Sequence, residues 1–221
     1  MGSFEILSLP RTPFSELDSE LGPKIIAFVD KIKSFPAPKT QLEQYSLPSD
    51  LIAFILLLVQ KDLKDKNVVD LGCGTGRFLF PISKFFANRT LGVDVDLNVI
   101  FFLLQQRPLL SKTIDLLVTP IEFLEPYLWG KRYHVTVMNP PFGTKRRRID
   151  LVFLKQALKY SQIVISLHKS NESTRKLIKQ LGQTHNKKMD KLATVSFPIF
   201  PHMKFHRKNK HFVSIDIIRL Y

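Results

Sequence analysis

Residues 68–78 read VVDLGCGTGRF, and the reading of that stretch decides the fold. An apolar run ends on the carboxylate of Asp70, after which Gly72, Gly74 and Gly76 alternate ahead of GRFLFPISKFF, a segment patterned as a helix. A glycine-rich turn between strand and helix lets backbone approach a ligand closely and aims a helix N-terminus at it. A dinucleotide site spaces its glycines G-x-G-x-x-G, whereas the spacing here is G-x-G-x-G, a poor fit to a nicotinamide cofactor. About twenty residues on, TLGVDV closes on Asp94, the distance at which nucleotide-binding sheets present an acid to ribose hydroxyls. Asp96, directly before LNVIFF, is suited to capping the next helix.

Outward from this turn, NVVDLG, TLGVDV, TIDLLV, YHVTVM and QIVISL read as strands, with GRFLFPISKFF, LNVIFFLLQQ and IDLVFLKQALKY as helices among them. Such alternation predicts a parallel sheet with helical crossovers. The last two strand-like runs, KLATVSFPIF and HFVSIDIIRLY, are joined by a basic loop with no room for a crossover helix and should pair antiparallel. The expectation is therefore an α/β fold with a seven-stranded, mostly parallel sheet ending in an antiparallel hairpin. Upstream, residues 15–35 read as an amphipathic helix interrupted near Gly22 and Pro23, and FPAPK (35–39) reads as a linker. LPSDLIAFILLLVQ opens a second helix that Ser49 or Asp50 could cap. Residues 1–40 are expected to be an N-terminal helical extension, and residues 41–221 the main domain.

At 221 residues and 44% hydrophobic content the chain can bury one substantial core. Its longest apolar run, LIAFILLLV at 51–59, is about half of what a bilayer needs, and the N-terminus lacks signal-peptide patterning, so a cytoplasmic protein with no membrane partner is expected. A single cysteine, Cys73, excludes an internal disulfide framework and a cysteine-rich zinc site. The net charge of +14 is unevenly placed: up to residue 130 there are 13 basic and 15 acidic residues, and from 131 onward 20 and 4. Clusters at Lys145, Arg146, Arg147 and Arg148, at Lys187 and Lys188, and in KFHRKNKH (204–211) would neutralise phosphates and release counterions, which points to a nucleic acid. A solvated, lysine-rich surface is the alternative reading.

The basic half begins near NPPFGTK, residues 139–145. Asn139 brings a carbonyl acceptor and an amide donor, while Pro140 and Pro141 have fixed φ and no backbone N–H. Phe142 adds a flat apolar face, and Gly143 lets the chain turn where a side chain would obstruct a ligand. A stiff, acceptor-rich loop with an aromatic wall could hold a planar amine.

The strand pattern and the glycine turn resemble the class I S-adenosylmethionine-dependent methyltransferases. That resemblance implies that Asp70 orients the methionyl amino group, that the Gly72–Gly76 backbone packs against it, and that Asp94 takes the ribose. It also implies an acid after the third strand for the adenine amine, and here Pro120 stands in that place. Glu122, Thr119 or backbone contacts could substitute. In amino-methyltransferases with an NPPF-type motif, the Asn side chain and the first Pro carbonyl accept from the target amine and the aromatic stacks on it. Positioning and stabilisation of growing positive charge matter more there than a strong base, and a paired base would have to be flipped out onto Phe142.

LEQY (42–45), DLGCGTG, GVDVD, MNPPFGTK, FLKQAL (153–158), SLHKS (166–170) and KFHRK (204–208) together resemble the methyltransferase-like-five family, over roughly residues 40–221. Its members methylate adenine N6 in small-subunit ribosomal RNA. The resemblance implies that Gln44 and Tyr45 form a lid over the cofactor, an ordinary helix-start cap being the other reading. Lys169, Lys204, His206, Arg207 and Lys208 would face RNA; His168 and His206 could equally hydrogen-bond within loops, and neither spacing makes a metal site. Thr75, Pro120 and RRRID (146–150) depart from the family pattern. The expected open edge of TIDLLV, beside the apolar FFLLQQ, implies a partner, for which the family offers a small zinc-containing activator subunit. The competing functions are an RNA guanine-N2 methyltransferase, a protein glutamine methyltransferase, and an RNA-binding ribosome-assembly factor without catalysis.

Overall fold

Five apolar runs form the parallel part of one sheet: β2 (Asn67–Leu71), β3 (Arg89–Asp94), β4 (Ile114–Val118), β5 (Tyr133–Met138) and β6 (Ser161–Lys169). Three further strands, β1 (Glu5–Ser8), β7 (Met189–Ile199) and β8 (His211–Leu220), extend it antiparallel. The computed structural model describes residues 4–8, 20–35, 38–106, 114–125, 133–143, 145–199 and 211–221. Strand order is β1-β7-β8-β6-β5-β2-β3-β4. Among the described residues the sheet thus has eight strands where the sequence pattern counts seven. The addition, β1, comes from the stretch read as a helical extension, because four residues are too few to show a period-two pattern. It pairs with β7 from Glu5↔Ser196 onward and so covers an edge that would otherwise be open.

Helices α1 (Leu21–Val29), α2 (Ser49–Leu58), α3 (Gln60–Leu63), α4 (Leu79–Phe85) and α5 (Leu97–Gln105) precede α6 (Ile149–Tyr160) and α7 (Glu172–Thr184). Residues of α1, α2, α4 and α5 join one hydrophobic cluster, and residues of α6 and α7 another. The strands feed both by alternation: Val68, Val135, Val137 and Ile165 enter the first, Val69, Leu71, Met138 and Val164 the second. Leu51 to Leu57 are all buried because α1 covers the outer side of α2, which explains a helix that is apolar all round.

Two local expectations change. Residues 15–19 of the helix expected over 15–35 lie outside the described residues, and Gly22 and Pro23 lie in the first turn of α1 rather than interrupting it, since a first-turn residue needs no intrahelical N–H bond. Pro48 occupies the cap position of α2; Ser49 instead bonds Asp30 and Arg77, and Asp50 accepts from Leu51 N–H at 2.8 Å. Finally, α7 does not stand out in sequence because only Ile178 and Gly182 of its residues are buried; Asn171 caps it, accepting from Thr174 N–H at 2.8 Å. Among the described residues no helix is long and apolar enough to cross a membrane.

Candidate active site

The chain leaves β2 toward β3 on one side, and β5 returns on the other, so the carboxyl ends of β2 and β5 flank the point where strand order reverses. Open α/β sheets bind ligands at that crevice. Here it is a cavity of about 270 Å³ whose walls include Gln44, Tyr45, Asp70, Gly72, Gly74, Asp94, Thr119, Asn139, Pro141 and Arg146. Residues from four separate parts of the sequence reading thus share one space.

Asp70 ends β2 in register with Gly92 and Val137, 2% exposed, and its Oδ2 has no hydrogen-bond partner. Burial, together with the charge of Asp94, pushes its carboxyl up to about 8, against a backbone bond from Leu79. A buried acceptor in that condition calls for a cationic donor, such as an ammonium group. The glycine turn is bound to the end of β3: Gly72 and Cys73 donate to the Val93 carbonyl at 2.8 and 3.0 Å, and Gly74 N–H donates to Asp94 Oδ2 at 2.9 Å. Gly76 has φ +84°, and a Cβ there would lie 2.7 Å from Leu103, so both conformation and space require glycine.

Asp94 Oδ1 accepts from Asp96 N–H at 2.9 Å. Burial raises its carboxyl above the ordinary range, although the backbone donors pull it back. With one backbone donor on each oxygen, its remaining lone pairs suit ribose hydroxyls. Asp96 caps α5, accepting from Asn98 N–H at 3.2 Å, and is also bonded by Lys39 Nζ at 2.8 Å and Gln44 Nε2 at 3.0 Å. On the far wall, Pro120 and Ile121 replace the expected acid with apolar surface. Thr119 is buried with its hydroxyl donating to the Pro120 carbonyl at 3.3 Å, and Glu122 pairs with Arg146 at 2.6 Å. Glu122 is thus drawn off by Arg146, whereas Thr119 spends only its hydroxyl proton and keeps its oxygen lone pairs for accepting.

The second reacting element follows β5. Asn139, Pro140, Pro141 and Phe142 leave the sheet one strand away from Asp70. Tyr45 donates its hydroxyl to Asn139 Oδ1 at 2.9 Å, and its ring lies 5.3 Å from that of Phe142, tilted by 34°. Burial holds this phenol well above its ordinary pKa, so it stays a donor. Two of the three groups expected to receive a target base, Asn139 and Phe142, are thus engaged by Tyr45. The expected lid residues line the cavity, but their polar ends reach Asp96 and Asn139.

Basic residues follow the carboxyl ends of β5 and β6. Lys145, Arg147 and Arg148 are exposed ahead of α6, and Lys169 is exposed at the carboxyl end of β6, the neighbour of β5. Arg146 differs through its pairing with Glu122. Lys204, His206, Arg207 and Lys208 lie outside the described residues. His168 is fully buried within β6 rather than in a loop, with Nδ1 3.1 Å from Asp150 and Nε2 2.7 Å from Ser166. The carboxylate needs the proton, so Nδ1–H donates to Asp150 and Ser166 donates to Nε2. Sequence reasoning passed over Lys39, Phe153, whose ring lies 3.2 Å from where a Cβ on Gly72 would be, and the role of Glu43. Residue type gives no signal for the first two; Glu43 lies within LEQY.

Comparison with known proteins agrees with this architecture. Residues 50–191 match the methyltransferase small domain family. An uncharacterized protein of Methanocaldococcus jannaschii is 31% identical over 199 residues, covering 87% of this chain and 90% of that protein. The rRNA N(6)-adenosine-methyltransferase METTL5 of Danio rerio is 29% identical over 197 residues, covering 86% of this chain and 94% of that protein. A crystal structure from Pyrococcus horikoshii superposes with a TM-score of 0.79 at 27% identity, over 90% of this chain and 96% of that one. A family match running from α2 into β7 takes in both the glycine turn and the NPPF loop, and on that ground the chain belongs to the methyltransferase small domain family.

Proposed function

We propose that the protein methylates the exocyclic N6 amine of an adenine in small-subunit ribosomal RNA. S-adenosylmethionine is the cofactor of this methyltransferase fold, and when bound it supplies an activated methyl group. Asp70, the Gly72–Gly76 turn and Asp94 hold it in this reading, with Thr119 at the base end. The observation that carries the proposal is the NPPF loop, next to Asp70 across β2 and β5, in a chain resembling rRNA N6-adenosine methyltransferases along most of its length.

Asn139 Oδ1 and the Pro140 carbonyl accept the two protons of the target amine. They turn its lone pair toward the methyl group and stabilise the charge that grows on nitrogen. Phe142 replaces the stacking that the base loses on leaving its helix. For the base to enter, Tyr45 must withdraw its ring from Phe142. The exposed cations Lys145, Arg147, Arg148 and Lys169, on the same side as the loop, bind backbone phosphates.

Transfer of labelled methyl from S-adenosylmethionine to small-subunit rRNA, followed by nucleoside analysis, tests this reading. Label is expected in N6-methyladenosine. Label in N2-methylguanosine would reassign the base, and labelled protein with unlabelled RNA would reject an RNA substrate.

The partner reading rests on β4, which among the described residues has a neighbour on one side only. Phe101 and Phe123 stand 55% and 66% exposed in α5 and in the turn after β4, with Val118 in the strand itself also exposed. We infer that a small zinc-containing activator subunit adds a strand here and covers these side chains. The isolated chain is expected to be poorly active and prone to association in light scattering; a monodisperse protein of full activity would contradict this.

A further inference from the structure

The NPPF loop has a weakness built into its composition. Pro140 and Pro141 carry no N–H, so after Asn139 the first backbone donor by which the loop can be tied is that of Phe142. Glu43 takes it: Oε2 accepts from Phe142 N–H at 2.9 Å, while Oε1 accepts from Lys145 N–H, also at 2.9 Å. One carboxylate thus spans the loop on either side of Gly143, whose φ of +75° turns the chain between the two donors. Bonds from backbone N–H to an ionised acceptor are among the stronger hydrogen bonds a protein makes.

Glu43 itself has φ 50° and ψ 39°, directly after the short helical turn Thr40–Leu42. Glycine and asparagine adopt that conformation with least strain, and neither has a side chain long enough to bridge two residues of another loop with two oxygens. Strain held in a residue whose side chain grips a reacting loop is a recognised mark of function. The residues that follow extend the same strap, Gln44 to Asp96 and Tyr45 to Asn139. Tyr45, however, must give up its contacts when a base arrives, whereas the Glu43 bonds are made to backbone behind the acceptors and can persist throughout turnover.

We propose that Glu43 is the positioning residue of the methyl-transfer site. Through its two bonds it fixes the direction of the Asn139 amide and the Pro140 carbonyl and the plane of Phe142. This rests on the reading of NPPF as the target-amine site. Displacement of reacting groups by about 1 Å costs on the order of 100-fold in rate, and Glu43→Ala is expected to lower the single-turnover rate by that amount. Affinity for S-adenosylhomocysteine and for RNA should each stay within about threefold, because both Glu43 oxygens, although at the cavity wall, are engaged by the loop backbone. Glu43→Gln keeps a single acceptor and should fall between the two, a partial rescue that loss of fold would not show.

Amide hydrogen exchange at Phe142 and Lys145, followed by NMR, gives a readout independent of methyl transfer. Both amides are expected to exchange slowly in the native protein and at least tenfold faster in Glu43→Ala. Were RNA not the substrate, the rates would be lost in all proteins alike while this exchange pattern remained. Wild-type turnover in Glu43→Ala overturns the proposal, as does a loss confined to cofactor affinity or unchanged exchange at both amides.

Discussion

Asn139→Ala is expected to lower methyl transfer to RNA by roughly 100- to 1,000-fold, with affinity for S-adenosylmethionine changed by less than about threefold. The amide is aimed at charge that exists only as the new N–C bond forms, so its loss should appear in kcat more than in KM. The Tyr45 hydroxyl that bonds Asn139 has lone pairs of its own, but its ring lies against Phe142, where the base is proposed to stack, so it cannot take over while a base is bound. The variant also leaves the Tyr45 hydroxyl without its partner, for a stability cost of about 1 kcal/mol. Single-turnover kinetics beside calorimetric cofactor titration separate the two effects. A rate within threefold of wild type would remove Asn139 from the chemistry.

Asp70→Asn should do two opposite things. Cofactor affinity is expected to fall by at least about 100-fold, since a buried carboxylate facing an ammonium is worth several kcal/mol to the bound state. The cofactor-free protein should at the same time become more stable. Its carboxyl titrates near 8 in the fold against 3.8 when free. Between those values the unfolded chain binds fewer protons than the native one, so stability falls as pH rises from about 4 and levels off above about 8. An amide does not ionise, and relief of this penalty is expected to give about 2–4 kcal/mol at pH 7.5, or roughly 5–10 °C in melting temperature. The advantage should vanish near pH 4. Thermal melts of both proteins across that range decide the matter, and a variant less stable than wild type at pH 7.5 would refute the assignment of strain to Asp70.

The two positions proposed for cofactor and base stand out in the sequence for a physical reason. Asp70 and Asn139 each stand at the end of an apolar strand and are followed by residues with restricted or special backbone geometry, three glycines in one case and two prolines in the other. Parallel strands flanked by helices give near-continuous apolar runs, so β2 to β6 were legible too. β1 was not, because its existence depends on the free edge of β7, nearly 190 residues away. The cap of α2 was misread because Ser49 has better partners in Asp30 and Arg77, neither close in sequence. Within the site, acids were visible but their pairings were not: Glu122 is drawn off by Arg146, and Lys39 reaches Asp96 across 57 positions. Glu43 carries no signal of its own within LEQY, because its partner at residue 142 is brought beside it only by the fold.

The position of β8 bears on how the sheet comes together. It follows β7 in sequence, yet in the sheet it lies between β6 and β7. The parallel strands can pair with one another without it. The antiparallel half closes only once β8 is in place, and only then does β7 gain the neighbour that fixes the edge on which β1 docks. Removal of β8 would take away an interior strand and present two unpaired edges, at β6 and β7, so this one segment decides whether the two halves form a single sheet.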